Sequence, residues 1–159
     1  MEYGLVYEHR GSVQLAGFTD ADWAGCVEDQ NSTSGCSFSI GSGVVSWFTR
    51  KQKLVALSST EAEYVAANMA ACEGMWPRKL LSGLFECELE AIVVHHDNQS
   101  GIRISKDPVF HDQRKHIDIK YHFLRDCVQR GTIRVTCPNW KNILCFKKHY
   151  VTFYVKVCN

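Results

Sequence analysis

The run AIVVHHD, Ala91 to Asp97, constrains the fold most, because it is an unbroken apolar stretch that ends on an acid. A strand without polar alternation is buried on both faces, so it needs a neighbour on each side and further elements packed over the sheet. Such a central strand reaches the surface at its end, and here an acid stands at that point.

The rest of the chain supplies the neighbours. VQLAGFTD, Val13 to Asp20, alternates like a strand, and CSFSI (Cys36 to Ile40) and VVSWF (Val44 to Phe48) flank Gly41-Ser42-Gly43, a hairpin signature. From Glu61 onward Ala62, Val65, Ala66, Met69, Ala70, Trp76 and Leu80 recur at helical spacing, with Pro77 expected to kink or break the helix. NQSGIRIS after Asp97 reads as a short helix weakened by Gly101. Ile117, Tyr121, Leu124 and Val128 mark an amphipathic helix, and TIRVT, Thr132 to Thr136, a last strand. The expected order is therefore three strands, a helix, a strand, two helices and a strand, forming an α/β domain with a mixed sheet.

A chain of 159 residues with 45% hydrophobic content makes one core and not two. The net charge of +1 gives no global pull towards a polyanion, so nucleic-acid contact requires local basic patches. None of the eight cysteines falls in a C-x-x-C pair, which argues against a zinc ribbon or redox motif and for buried free thiols. The first residues, MEYGLVYEHRG, carry no long apolar run, so no signal peptide or spanning helix is expected, and an intracellular setting, cytoplasmic or nuclear, follows.

Two acids open the main helix in LSSTEAEYVAA, Leu57 to Ala67. Ser58 with Glu61 and Thr60 with Glu63 both fit the capping-box spacing. The alternative is that one carboxylate turns away from the helix end to hold a metal. Asp20, Glu63 and Asp97 lie at the ends of three elements that one sheet with one packed helix can bring together. Oxygen donors of this kind suit magnesium, and ion pairs of this type clamp the attacking and leaving oxygens in phosphoryl transfer. Acids at strand ends and helix starts are also common without any metal, and spacing alone does not separate the two.

Longer blocks of sequence carry a resemblance. GFTDADWAG, STSG, VSWFTRKQKLVALSSTEAEYVAA, DNQSGI, PVFH and KHIDIKYHFLRD resemble, in order and spacing, the ribonuclease H domain of copia-type LTR retrotransposon Pol polyproteins. The resemblance runs from about Tyr3 to about Val135. It implies a ribonuclease H-like fold, with a five-stranded mixed sheet and flanking helices, that hydrolyses the RNA strand of RNA–DNA hybrids using two Mg2+ ions, with Mn2+ as substitute. Carried onto this chain, the metal ligands and catalytic residues are Asp20, Glu63 and Asp97, while Glu61 remains a helix-start acid and Asp22 a neighbour of a ligand. The implied partners are the hybrid and the reverse transcriptase domain of the same polyprotein, with no membrane.

Arg50, Lys51 and Lys53, beside Trp47 and Phe48, and Arg114 with Lys115 form candidate backbone-tracking patches for the hybrid. A solvated loop is the competing reading of the same residues. His95 and His96 sit beside Asp97, where an imidazole could tune the site, but the family usually has Tyr or Cys at such a position, and both are read as surface or packing residues in preference. His116, Asp118 and His122 do not share a helix face and are read as polar positions around the amphipathic helix.

Two departures from the family stand out. Cys26 occupies a loop position where the family has Asp. The family's fourth carboxylate belongs to a C-terminal helix, whereas this chain has no Asp or Glu after Asp126. The expected division is a ribonuclease H-like domain over 1–136 and a divergent tail over 137–159, with the C-terminal helix missing and the second metal position weakened. Three readings follow: an active hybrid endonuclease, a catalytically silent remnant that folds and binds without cutting, and an integrase-like nuclease of the same superfamily. The SSTEAEY and DNQS blocks argue against the third.

Overall fold

Three antiparallel strands build the first half of the sheet: β1 (Leu15–Asp22), β2 (Thr33–Ile40) and β3 (Gly43–Lys51). These elements come from a computed structural model that describes residues 14–41, 43–86, 88–106 and 123–137. The tight turn between β2 and β3 puts Gly41 at φ 57, a left-handed conformation that costs glycine little. β4 (Ile92–His95) and β5 (Ile133–Thr136) complete a five-stranded sheet in the order β3-β2-β1-β4-β5. β1 runs parallel to β4, and β4 parallel to β5. The apolar run therefore lies inside the sheet, between β1 and β5, as its lack of alternation requires.

One long helix, α1 (Ser59–Phe85), covers the sheet. Its packed face is built from small residues, with Ala62, Ala66, Ala67, Ala70, Ala71 and Gly74 all buried. Small side chains bring the helix backbone close to the strands, and Phe38 of β2 fills the gap with 1% exposure. A Cβ at Gly17 or Gly74 would lie 2.8 or 2.9 Å from the Phe38 ring, so both glycines make room for it. Leu15, Ile92, Val94, Ile133 and Val135 extend the same core along the strands.

The helix does not end at Pro77. It continues to Phe85 with Pro77 on its buried face, so the expected break is absent. Proline removes one helical hydrogen bond, and burial of Gly74, Pro77 and Leu81 along the flanking turns holds the element together.

Two shorter helices follow: α2 (Gln99–Lys106) and a third, α3, described over residues 123–129. Among the described residues no helix is long and apolar enough to cross a membrane. Arg114, Lys115, His116, Asp118 and His122 lie outside the described residues, as does the stretch beyond Cys137 where a C-terminal helix would follow β5. The described cysteines are free thiols, with Cys36 and Cys127 buried but Cys72 and Cys137 exposed, so burial accounts for only some of them.

Candidate active site

The start of α1 separates the two acids. Ser58 is the N-cap, and its hydroxyl accepts the Glu61 N–H at 3.2 Å. The Glu61 carboxylate reaches back and accepts the Leu57 N–H at 2.9 Å, a capping arrangement displaced by one residue from the usual box. Glu61 thus serves the helix end. Glu63, two residues on, points about 200° around the helix from Glu61 and turns its carboxylate to the strand ends.

The loops that hold this helix start are tied down by buried polar contacts. Gln52, at 3% exposure, donates from Nε2 to the Ser34 hydroxyl at 2.8 Å and to the Ala62 carbonyl at 2.9 Å. Trp23 donates from Nε1 to the Ala56 carbonyl at 3.1 Å, linking the exit of β1 to the segment before α1. Asp20 sits inside β1, opposite Gly35 of β2, and the strand runs on to Asp22, two residues further than the sequence pattern suggested.

Asp20, Glu63 and Asp97 are brought together. Burial first, then the charges of Asp20 and Asp97, raise the Glu63 carboxyl far above the usual carboxylate range, and an N–H from Ala21 opposes the shift. Asp20 is also within side-chain hydrogen-bonding reach of Glu63. Oε2 of Glu63 is buried and forms no hydrogen bond. A buried carboxyl with two more carboxylates close to it needs a proton or a cation.

His96 joins this cluster, contrary to its reading as a surface or packing residue alone. Ile92, Val94 and His96 alternate towards the core, so the imidazole continues the apolar row of β4. It is 1% exposed, and its Nδ1 lies 3.5 Å from Glu63 Oε2. Glu63, His96 and Asp97 each offer one donor atom within 4.8 Å of the others. The backbone holds them there, since the His96 N–H donates to the Thr136 carbonyl at 2.9 Å. Asn98 then starts α2, its side-chain oxygen accepting the N–H groups of Ser100 at 2.9 Å and Gly101 at 3.1 Å. The alternation along β4 was the available signal for His96. His95 does pack, stacking on Phe18 with centroids 4.7 Å apart, and burial lowers its pKa.

The basic residues of β3 are engaged within the chain. Arg50 pairs with Glu73 of α1 at 2.7 Å and lies over the Phe48 ring. Lys51 pairs with Asp29 at 2.7 Å and donates to Cys26 Sγ at 3.1 Å, which holds the lysine charged and the Asp29 carboxyl well below its usual range. Lys53 is exposed. Both ion pairs are solvent-facing and worth little individually.

Strand order, the long covering helix and the converging acids define a ribonuclease H fold. The fold matches that of the LC11-RNase H1 isolated from compost by a metagenomic approach, with a TM-score of 0.56 at 16% identity over 82% of this chain and 89% of that one. In sequence, the chain is 42% identical over 123 residues to the retrovirus-related Pol polyprotein from transposon TNT 1-94 of Nicotiana tabacum, covering 76% of this chain and 9% of that protein. It is 37% identical over 134 residues to the corresponding polyprotein from transposon RE2 of Arabidopsis thaliana, covering 84% of this chain and again 9% of the relative. The chain's homologues are thus copia-type retrotransposon Pol polyproteins, and it spans about a tenth of their length. No protein-family model matches it.

Proposed function

We propose that the chain is a ribonuclease H domain that hydrolyses the RNA strand of RNA–DNA hybrids with divalent metal, working beside a reverse transcriptase domain of one polyprotein. The observation that carries this reading is the convergence of the Asp20 and Asp97 charges on the buried Glu63 carboxyl, which they and burial raise far above its usual range. The donor set fits a divalent cation, which would neutralise three carboxylates that otherwise repel one another. Bound there, Mg2+ or Mn2+ would polarise the scissile phosphate and lower the pKa of an attacking water. Asp20 and Asp97 would hold the ion from the strand side and Glu63 from the helix. Arg50 and Lys51 on the edge strand, and Lys53 just after it, would track the hybrid backbone, with Arg50 and Lys51 exchanging their internal partners for phosphate; Arg114 and Lys115, outside the described residues, are proposed as a second basic patch for the same backbone.

A second reading rests on one feature of the sequence. No Asp or Glu follows Asp126, so the fourth carboxylate of the family has no counterpart there. A remnant of this kind would fold, bind metal weakly and bind hybrid or a partner without cutting it.

Cleavage of a labelled RNA–DNA hybrid in Mg2+ and then Mn2+, with Asp20→Asn as control, tests the proposal. Cutting that disappears in the control supports the endonuclease. A folded chain that binds metal and cuts nothing supports the remnant.

A further inference from the structure

The donors around Glu63 are not all oxygen, and the chain has made room for the exception. Gly101 stands inside α2, where glycine is less favourable than alanine by about 1 kcal/mol. A Cβ at that position would lie 2.7 Å from His96 Nε2 and 3.3 Å from its Cδ2. The missing side chain is therefore the space in which the imidazole sits. The opposite edge of the ring faces the acids, with Nδ1 at 3.5 Å from Glu63 Oε2. Two donors bound to one ion at about 2.1 Å each stand roughly 3.0–4.2 Å apart for angles between a right angle and opposition, so this separation suits a shared cation.

We infer that His96 is a nitrogen donor to the cation held by Glu63 and Asp97, and that it biases the site towards first-row transition-metal dications over Mg2+. The inference rests on the reading of this cluster as a metal site and adds its selectivity. Magnesium demands oxygen ligands and retains its waters, whereas imidazole is a good ligand for transition ions. A ring buried in a slot between α2 and Glu63 cannot swing away to let water take its place. Replacing a water by this nitrogen strengthens binding of a first-row transition dication, Mn2+ the least strongly among them, and does little for magnesium.

Binding of Mn2+ and of Mg2+ to the full chain, by calorimetry, together with the spin-echo spectrum of bound Mn2+, tests this without reference to turnover. Mn2+ is the probe because thiolates, of which this chain has many, favour softer ions. The expected result is tighter binding of Mn2+ than of Mg2+, with imidazole nitrogen coupled to the manganese. In His96→Gln that coupling disappears and Mn2+ affinity falls about tenfold or more, with Mg2+ affinity changed by much less. Gly101→Ala, which crowds the ring from the other side, shifts the Mn2+/Mg2+ ratio in the same direction. Absence of nitrogen coupling in the wild type, coupling that survives in His96→Gln, or an unchanged ratio in both variants overturns the inference while leaving the metal site standing. Failure of the folded wild type to bind either ion overturns both. If a variant does not fold, the wild-type coupling decides.

Discussion

The side-chain oxygen of Asn68 in α1 accepts the backbone N–H of Leu124 at 3.1 Å, joining two elements 56 residues apart in sequence. Leu124 is fully buried, so its amide has no water to turn to. Asn68→Ala leaves that donor unsatisfied, and a loss of about 1–3 kcal/mol in unfolding free energy is expected. Urea titration measures it, and a change of a few tenths would mean that the bond contributes nothing.

Gly74 gives a case in which two effects compete. Alanine at a helix interior is favoured over glycine by about 1 kcal/mol. A Cβ there, however, would meet the Phe38 ring at 2.9 Å and the Ile92 side chain at 3.3 Å, both in a full core. Overpacking of this kind costs about 1–3 kcal/mol, so Gly74→Ala is expected to destabilise. Combining it with Phe38→Leu recovers part of the loss, read as non-additivity in a double-mutant cycle; a stabilised single variant would show that the ring can move.

The contribution of Glu63 to the stability of the metal-free chain falls as pH rises, against a smaller opposite contribution from His95, whose pKa burial lowers. Glu63 has its carboxyl raised from 4.5 to about 9 on folding, by burial first and then by Asp20 and Asp97. The folded state therefore holds a proton that the unfolded state has lost, and this contribution is complete below about pH 4.5 and lost as pH rises through the raised value. Glu63→Gln removes the slope across that window. Mn2+ at about 100 times its Kd adds about 2.7 kcal/mol to the wild type, and its apparent affinity rises with pH because binding expels the proton. Thermal unfolding at several pH values with and without metal checks both slopes. A metal-free curve that is flat in the wild type would sink this account.

Ser58→Ala removes the hydroxyl that accepts the Glu61 N–H. The expected loss is about 1 kcal/mol of stability, with metal affinity changed less than about twofold, since Glu63 is held by its contacts with the strand ends and not by the cap. Glu61→Ala should show a similar stability loss and the same indifference to metal. A large fall in metal affinity in either variant would mean that the cap positions the ligand.

The division of roles between the two acids of α1 was legible in the chain because it is local. The LSSTEAEY stretch contains both the cap and the inward acid, and the helical turn alone separates Glu61 from Glu63. Pro77 does not break the helix, the one of its two expected outcomes that the continuous element excludes, and Gly74, Pro77 and Leu81 are buried on the packed face there. His96 and Gly101 were harder: each has a bland local meaning, one a histidine beside an acid and the other a weak spot in a short helix. Their relation exists only when α2 is laid against β4.

The sequence by itself determined the elements and their order, because strand alternation, helix periodicity and capping are set by neighbours along the chain, whereas the three acids were picked out as ligands only by the family resemblance. It also carried the likeness to retrotransposon polyproteins, which rests on long contiguous blocks. Only the tertiary structure decided how Glu63 titrates, which histidine faces it, and why position 101 carries no side chain. Desolvation, charge repulsion and excluded volume act between atoms that are close in space, and residues 20, 63, 96 and 101 become close only when the sheet and its helices are assembled.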